Sequence, residues 1–272
     1  MTSSAHPYPW RLFWLLLLMT ILSIVAAIPA ILDLVAGVLA KIELPNAPIP
    51  LLVLVGAIQN LSLLALMIWV GLKLAPRVGL GVPLFESWTR GEAVPSSAIR
   101  RSVTSGLLNG IFVGIVLLIC LLVLAPRLPD LPFVRAAQLP IWKRFLLCFY
   151  GGIYEEVLTR LFLLTLVAWI ANRSWQKARG TLSSPAFWFA NVFAALLFGL
   201  GHLPSASLFM QITPLVVVAA IILNGIAGIA FGYLYRRNGL ESAMVAHLTA
   251  DFVLYVLGPF LLPLVLLPSQ AI

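Results

Sequence analysis

Apolar residues along this chain come in long runs, not in the one-sided stripes of a soluble helix or the alternation of a strand. Seven runs, at about 12–37, 49–75, 103–125, 142–170, 186–202, 211–235 and 240–257, are predominantly apolar. Roughly 20 such residues cross a bilayer as a helix. An eighth stretch, FLLPLVLLP from Phe260 to Pro268, is short and broken by prolines. It reads as a partial helix or a membrane-surface segment. The longest connection, Pro76 to Arg101, mixes Gly, Pro, Ser and charge, and Pro83 to Arg90 within it reads as a surface helix. The pattern predicts an all-α polytopic transmembrane bundle of about seven to eight helices. Residues 1–100 form an N-terminal helix pair plus loop, 101–257 the core, and 258–272 a short apolar C-terminal segment. No repeat, soluble domain or low-complexity tract is evident.

Composition agrees. Of 272 residues, 62% are hydrophobic and 10% charged, and mean hydropathy is +1.07; soluble domains are nearer half apolar and a quarter charged. The net charge of +8 is no nucleic-acid footprint, because the cations sit in short loops between apolar runs. Such loop cations set orientation. A cytoplasmic N-terminus puts Arg11, Lys73, Arg77, Arg90, Arg100, Arg101, Arg173, Lys177, Arg179, Arg236 and Arg237 inside. Lys41, Arg127, Arg135, Lys143 and Arg144 are then outside, so the count of eleven against five favours that orientation. The first apolar run lacks a small-residue cleavage site and is long enough to span, so no removable signal peptide is expected. Cys120 and Cys148 lie in apolar runs and read as buried thiols, not a disulfide or a metal site.

Six ionisable residues break the pattern. Asp33, Glu43, Glu86, Glu92, Asp130 and Glu241 fall in loops or near helix ends, but Glu155, Glu156, Arg160, His202, His247 and Asp251 fall within or at the edge of spans. A charge at the bilayer centre costs on the order of 2.5–3.5 kcal/mol, and such groups usually face the bundle interior at a functional site. In YEEVLTRLF, Glu156 and Arg160 are four apart and share a helix face. Glu155 is turned about 100° away, free of that pair and suited to general-base work. Phe198 and His202 are also four apart, as are His247 and Asp251. Gly199, Gly201 and Pro204 predict that the helix ends or kinks at His202, with the glycines admitting a neighbouring backbone.

A carboxylate and two imidazoles, Glu155, His202 and His247, are a donor set for a divalent metal such as zinc. They equally suit metal-free activation of water, with Glu155 and His202 taking the proton and His247 with a partner supporting the oxyanion. Either route hydrolyses an amide. Taken singly, the motifs also fit a structural ion pair, a satisfied interface histidine, or the proton relay of a transporter. No inverted repeat accompanies them, which disfavours the transporter.

Together, Glu155-Glu156-x-x-x-Arg160, Phe198-x-x-x-His202 and His247-x-x-x-Asp251 resemble the CAAX protease and bacteriocin-processing (Abi) family of intramembrane proteases, over roughly residues 100–257. The resemblance implies a helical membrane core with a cavity open to one side. It implies Glu155 and His202 as the water-activating pair, with His247 and Asp251 at the oxyanion and Glu156, Arg160 and Phe198 supporting the site. The Asp251 position is often asparagine in the prenyl-protease branch. An aspartate donates no hydrogen bond unless protonated, so orientation of His247 is the safer role for it. The family has been described both as metalloendopeptidases and as metal-free glutamate proteases. The implied substrate is a membrane-associated or lipidated peptide, and the implied location a bacterial plasma membrane. A non-catalytic scaffold or bacteriocin-immunity role is the alternative.

Overall fold

The computed structural model describes residues 8–39, 49–128, 130–175 and 181–266. Lys41, Glu43, Lys177, Arg179 and residues 267–272 of the C-terminal segment lie outside the described residues. Every regular element described is helical. In chain order these are α1 (Trp10–Leu39), α2 (Ile49–Leu74), α3 (Pro83–Thr89), α4 (Ser96–Leu124), α5 (Pro132–Ala136), α6 (Ile141–Phe149), α7 (Thr165–Trp175), α8 (Ser184–Gly201), α9 (Leu203–Ser207), α10 (Pro214–Asn238), α11 (Leu240–Asp251) and α12 (Leu262–Leu266). Short 3₁₀ turns follow α2 and precede α12.

Six of the helical runs are long and apolar enough to cross a membrane. The predicted span at 142–170 is present as a continuous helical path, but one interrupted by π-turns at Tyr150–Glu155 and Val157–Leu164. The chain continues past α11 in a third π-turn, Phe252–Leu257. Among the described residues, the eighth apolar stretch forms the five-residue α12. The surface helix expected in the long connection is α3. Its first backbone N–H groups, at Leu84 and Phe85, donate to the Glu241 carboxylate at 2.8 and 2.9 Å, which docks the connection on the start of α11.

Leu22, Ile58, Leu108, Phe112, Ile119, Val192 and Ile222 all face outward. An exterior this apolar needs lipid, and the protein is an integral membrane protein. Inside, association relies on small residues, because lipid offers no hydrophobic drive between helices. The α4 stripe Gly106, Gly110 and Gly114 sets the backbone against α11; a side chain at Gly106 would overlap Val245, and one at Gly114 would overlap Val253. Helix α11 is therefore packed between α4, α10 and the first π-turn, and it carries His247 and Asp251 into the centre of the bundle.

Candidate active site

The π-turns sit on the Glu-Glu-x-x-x-Arg segment itself. A π-turn widens the helix and leaves carbonyls outside the usual ladder, and threonines take them up. The Thr165 hydroxyl donates to the Arg160 carbonyl, five residues back, at 3.0 Å, and the Thr159 hydroxyl donates to the Glu155 carbonyl. Glu156, between the two turns, keeps α-helical angles (φ −69°, ψ −39°). Its four-residue spacing to Arg160 therefore still works. The ion pair forms at 3.0 Å, with both side chains almost fully buried.

Arg160 is satisfied on every side. Its guanidinium donates to the Gly228 carbonyl at 3.2 Å and to the Thr159 hydroxyl. It lies over the rings of Phe198 and Phe231, 5.2 and 5.7 Å from their centroids. Phe198 thus meets Arg160 through its ring, as a cation–π partner.

Glu156 has a second role that four-residue spacing does not reveal. The same carboxylate oxygen that pairs with Arg160 accepts from His247 Nδ1 at 2.7 Å, across 91 residues of sequence. This fixes the imidazole, whose Nε2 is then directed to Glu155 at 3.7 Å and Asp251 at 3.8 Å. Orientation of His247, assigned from the sequence to Asp251, is supplied at hydrogen-bond distance by Glu156, with Asp251 on the opposite nitrogen.

His202 caps α8, so the helix ends where the sequence predicted. Its Nδ1 is 2.8 Å from the Phe198 carbonyl. A carbonyl only accepts, so Nδ1 carries the proton, and in the neutral ring Nε2 keeps its lone pair. The two glycines before it differ. A side chain at Gly199 would strike the backbone of Ala220 and Ile221 on α10, whereas Gly201 has nothing near it. The expected close approach is made at Gly199 alone.

Glu155, Phe198, His202, His247 and Asp251 line one cavity of about 300 Å³, with otherwise largely apolar walls that include Leu117, Leu121, Leu223 and Leu254. Glu156 and Arg160 lie behind it, buried to 0% and 1% exposure. Glu155 retains 19% side-chain exposure. Two features of the cavity escaped the sequence reading. Asn224 of α10 is a polar wall residue, its amide donating to the Ala220 carbonyl at 2.9 Å. It carries no charge, and the search for ionisable residues passed over it. Gly151 is the other. A Cβ there would press on the Asp251 carboxylate and come within 3.0 Å of His247 Nε2. Gly151→Ala is expected to slow turnover roughly 10²-fold, the scale of an ångström-sized misplacement, with little change in melting temperature. Wild-type turnover would show that the His247–Asp251 geometry is dispensable.

Zinc was the candidate metal for Glu155, His202 and His247. Among the described residues, no group of three or more His, Cys, Asp or Glu side chains is arranged to hold a metal ion. Cys120 and Cys148 are both free, half-buried and buried respectively.

Taken together, these observations define a helical membrane protein with a carboxylate–imidazole cluster at the wall of an internal cavity. Residues 137–253 match the family described as type II CAAX prenyl endopeptidase Rce1-like, and this segment is similar to the CAAX proteases. Comparison with curated proteins and with solved structures gave no match.

Proposed function

We propose that the protein is an intramembrane endopeptidase in which Glu155 and His202 activate a water against a peptide carbonyl of a membrane-associated substrate. The observation that carries this reading is the division of labour in the cluster. Glu156 is consumed by Arg160 and His247, while Glu155 faces the cavity and, among the described residues, has only the imidazole at ion-pair distance. In the proposed step, water adds to the carbonyl carbon and its proton passes to Glu155, with the His202 Nε2 lone pair holding the water. The oxyanion forms beside His247, whose imidazolium Nε2–H is the available donor. The proton on Glu155 then passes to the leaving amine as the C–N bond breaks, which restores the carboxylate. Asp251 lies 3.8 Å from the same Nε2, at the cavity wall. No step runs through a metal.

The test compares the termini of membrane proteins in two strains of the native host, one with the intact gene and one with Glu155→Gln at equal expression. Termini that vanish in the variant establish proteolysis and identify the substrate. Identical termini, together with rescue of a deletion phenotype by the variant, would replace this reading with a scaffold that keeps the motif as structure.

A further inference from the structure

We infer that a second cavity, on a different face of α11 from His247 and Asp251, holds an acyl chain of an anionic phospholipid from the surrounding membrane. This cavity has a volume of about 700 Å³ and lies between α1, α3, α4 and α11, within the roughly 300–1,000 Å³ of ligand sites. Its walls include Met19 of α1, Leu84 and Phe85 of α3, and Met244, Val245 and Leu248 of α11. It shares no lining residue with the first cavity.

The polar groups at this wall are engaged or closed in. Glu241 Oε1 accepts from the Leu84 and Phe85 amides at 2.8 and 2.9 Å. Glu241 Oε2 and the Ser102 hydroxyl are enclosed, with no hydrogen-bond partner among the described residues. A guest in the cavity therefore meets hydrocarbon. Water, which needs about two to four polar partners, is poorly held there. The opening faces the exterior, for Trp88, Ile99 and Val103 at the rim are all exposed. Tryptophan is the residue that anchors at head-group depth, so a lipid can keep its head at Trp88 and lay its chain inside.

Charge selects the head group. Arg100 and Arg101 sit on α4 between the lining residues Ile99 and Ser102. Arg11 of α1 donates to the Thr89 carbonyl at 3.5 Å, next to Trp88. All three arginines are exposed and, among the described residues, in no ion pair, whereas Arg90 is paired with Glu86. Glu92 is the exposed acid at the rim. Three unpaired cations against one carboxylate favour an anionic head, the chemistry by which basic pockets between transmembrane helices bind lipid.

The position gives the acyl chain a task. Ile153 and Leu248 line this cavity, while Glu155 and His247 line the first. A side chain at Gly152 would overlap Leu248, so α11 and the first π-turn touch directly and form the wall between the two cavities. A chain in the second cavity backs the wall that carries His247.

The test reads binding, not activity, and is independent of the endopeptidase reading. The full chain is reconstituted in phosphatidylcholine vesicles containing a little phosphatidylglycerol with a diazirine in its acyl chain. After irradiation, the labelled peptides are mapped by mass spectrometry. Label is expected to concentrate on residues 84–88 and 244–248, above the level at the outward-facing Leu108 and Ile222. Ile99→Trp and Val103→Trp, at exposed rim positions, should abolish that excess and leave the label at Leu108 and Ile222 unchanged, which shows that the variants are folded and inserted. Unlabelled phosphatidylglycerol should compete better than added phosphatidylcholine. Arg100→Gln should reduce that preference about fivefold, the worth of one cation near a lipid head group. Even labelling over the apolar exterior, an excess that survives both tryptophan variants, or equal competition by the two lipids would overturn the inference.

Discussion

Glu156→Gln is expected to cost about 3–5 kcal/mol of stability, the scale for removing one partner of a buried ion pair. With it should go most of the folded protein recoverable from membranes. Glu156 is fully buried, and one of its oxygens receives both Arg160 and His247. The glutamine keeps the shape but removes the charge, and leaves a guanidinium with 1% exposure to be held by neutral oxygens and two aromatic faces. The measurement is thermal unfolding in detergent alongside yield at equal expression. The double variant Glu156→Gln/Arg160→Met removes both charges and should recover part of the loss, since a pair in direct contact is not additive. Wild-type melting of Glu156→Gln would show that the pair contributes nothing and that Arg160 is held by its carbonyl and ring contacts alone.

The sequence was legible where one helix carries the whole relation. Apolar runs located the spans, because hydropathy depends on composition and length, and four-residue spacing found the Glu156–Arg160 pair because Glu156 retains α-helical angles. It was illegible where a relation crosses helices. Nothing within YEEVLTRLF indicates that Glu156 reaches His247 on α11. Hydropathy is also blind to helix type, so the π-turns at Tyr150–Glu155 and Val157–Leu164 were invisible in a run that read as one span. The glycines show the same limit from another side. Gly199 and Gly201 look alike in sequence, but only Gly199 faces α10, and Gly151, which lies against the cluster, drew no attention. Asn224 was missed because the cost of burying charge draws the eye to ionisable groups, while an uncharged amide enters a membrane helix at lower cost.

Glu155→Gln should behave in the opposite way to its neighbour. Turnover is expected to fall by about 10²–10⁴-fold, the usual contribution of a positioned base, while melting stays near wild type. Glu155 is the more exposed of the two glutamates, and its nearest charged partner, His247 Nε2, is 3.7 Å away. Little of the fold therefore depends on its charge. Kinetics on the cleaved peptide, once the host comparison has identified it, provide the measurement, with Glu155→Asp as the conservative control. His202→Ala sharpens the test. If Glu155 and His202 act on one water, the double variant should be hardly slower than the worse single one, because groups that work as a unit lose their effect together. Multiplying losses would mean separate roles and would remove His202 from the water-activating pair. Two adjacent glutamates in an oily helix thus divide between two tasks. Glu156 is turned into the packed interior, where its charge meets Arg160 and His247, and Glu155 is turned to the cavity, where the proposed reaction needs it.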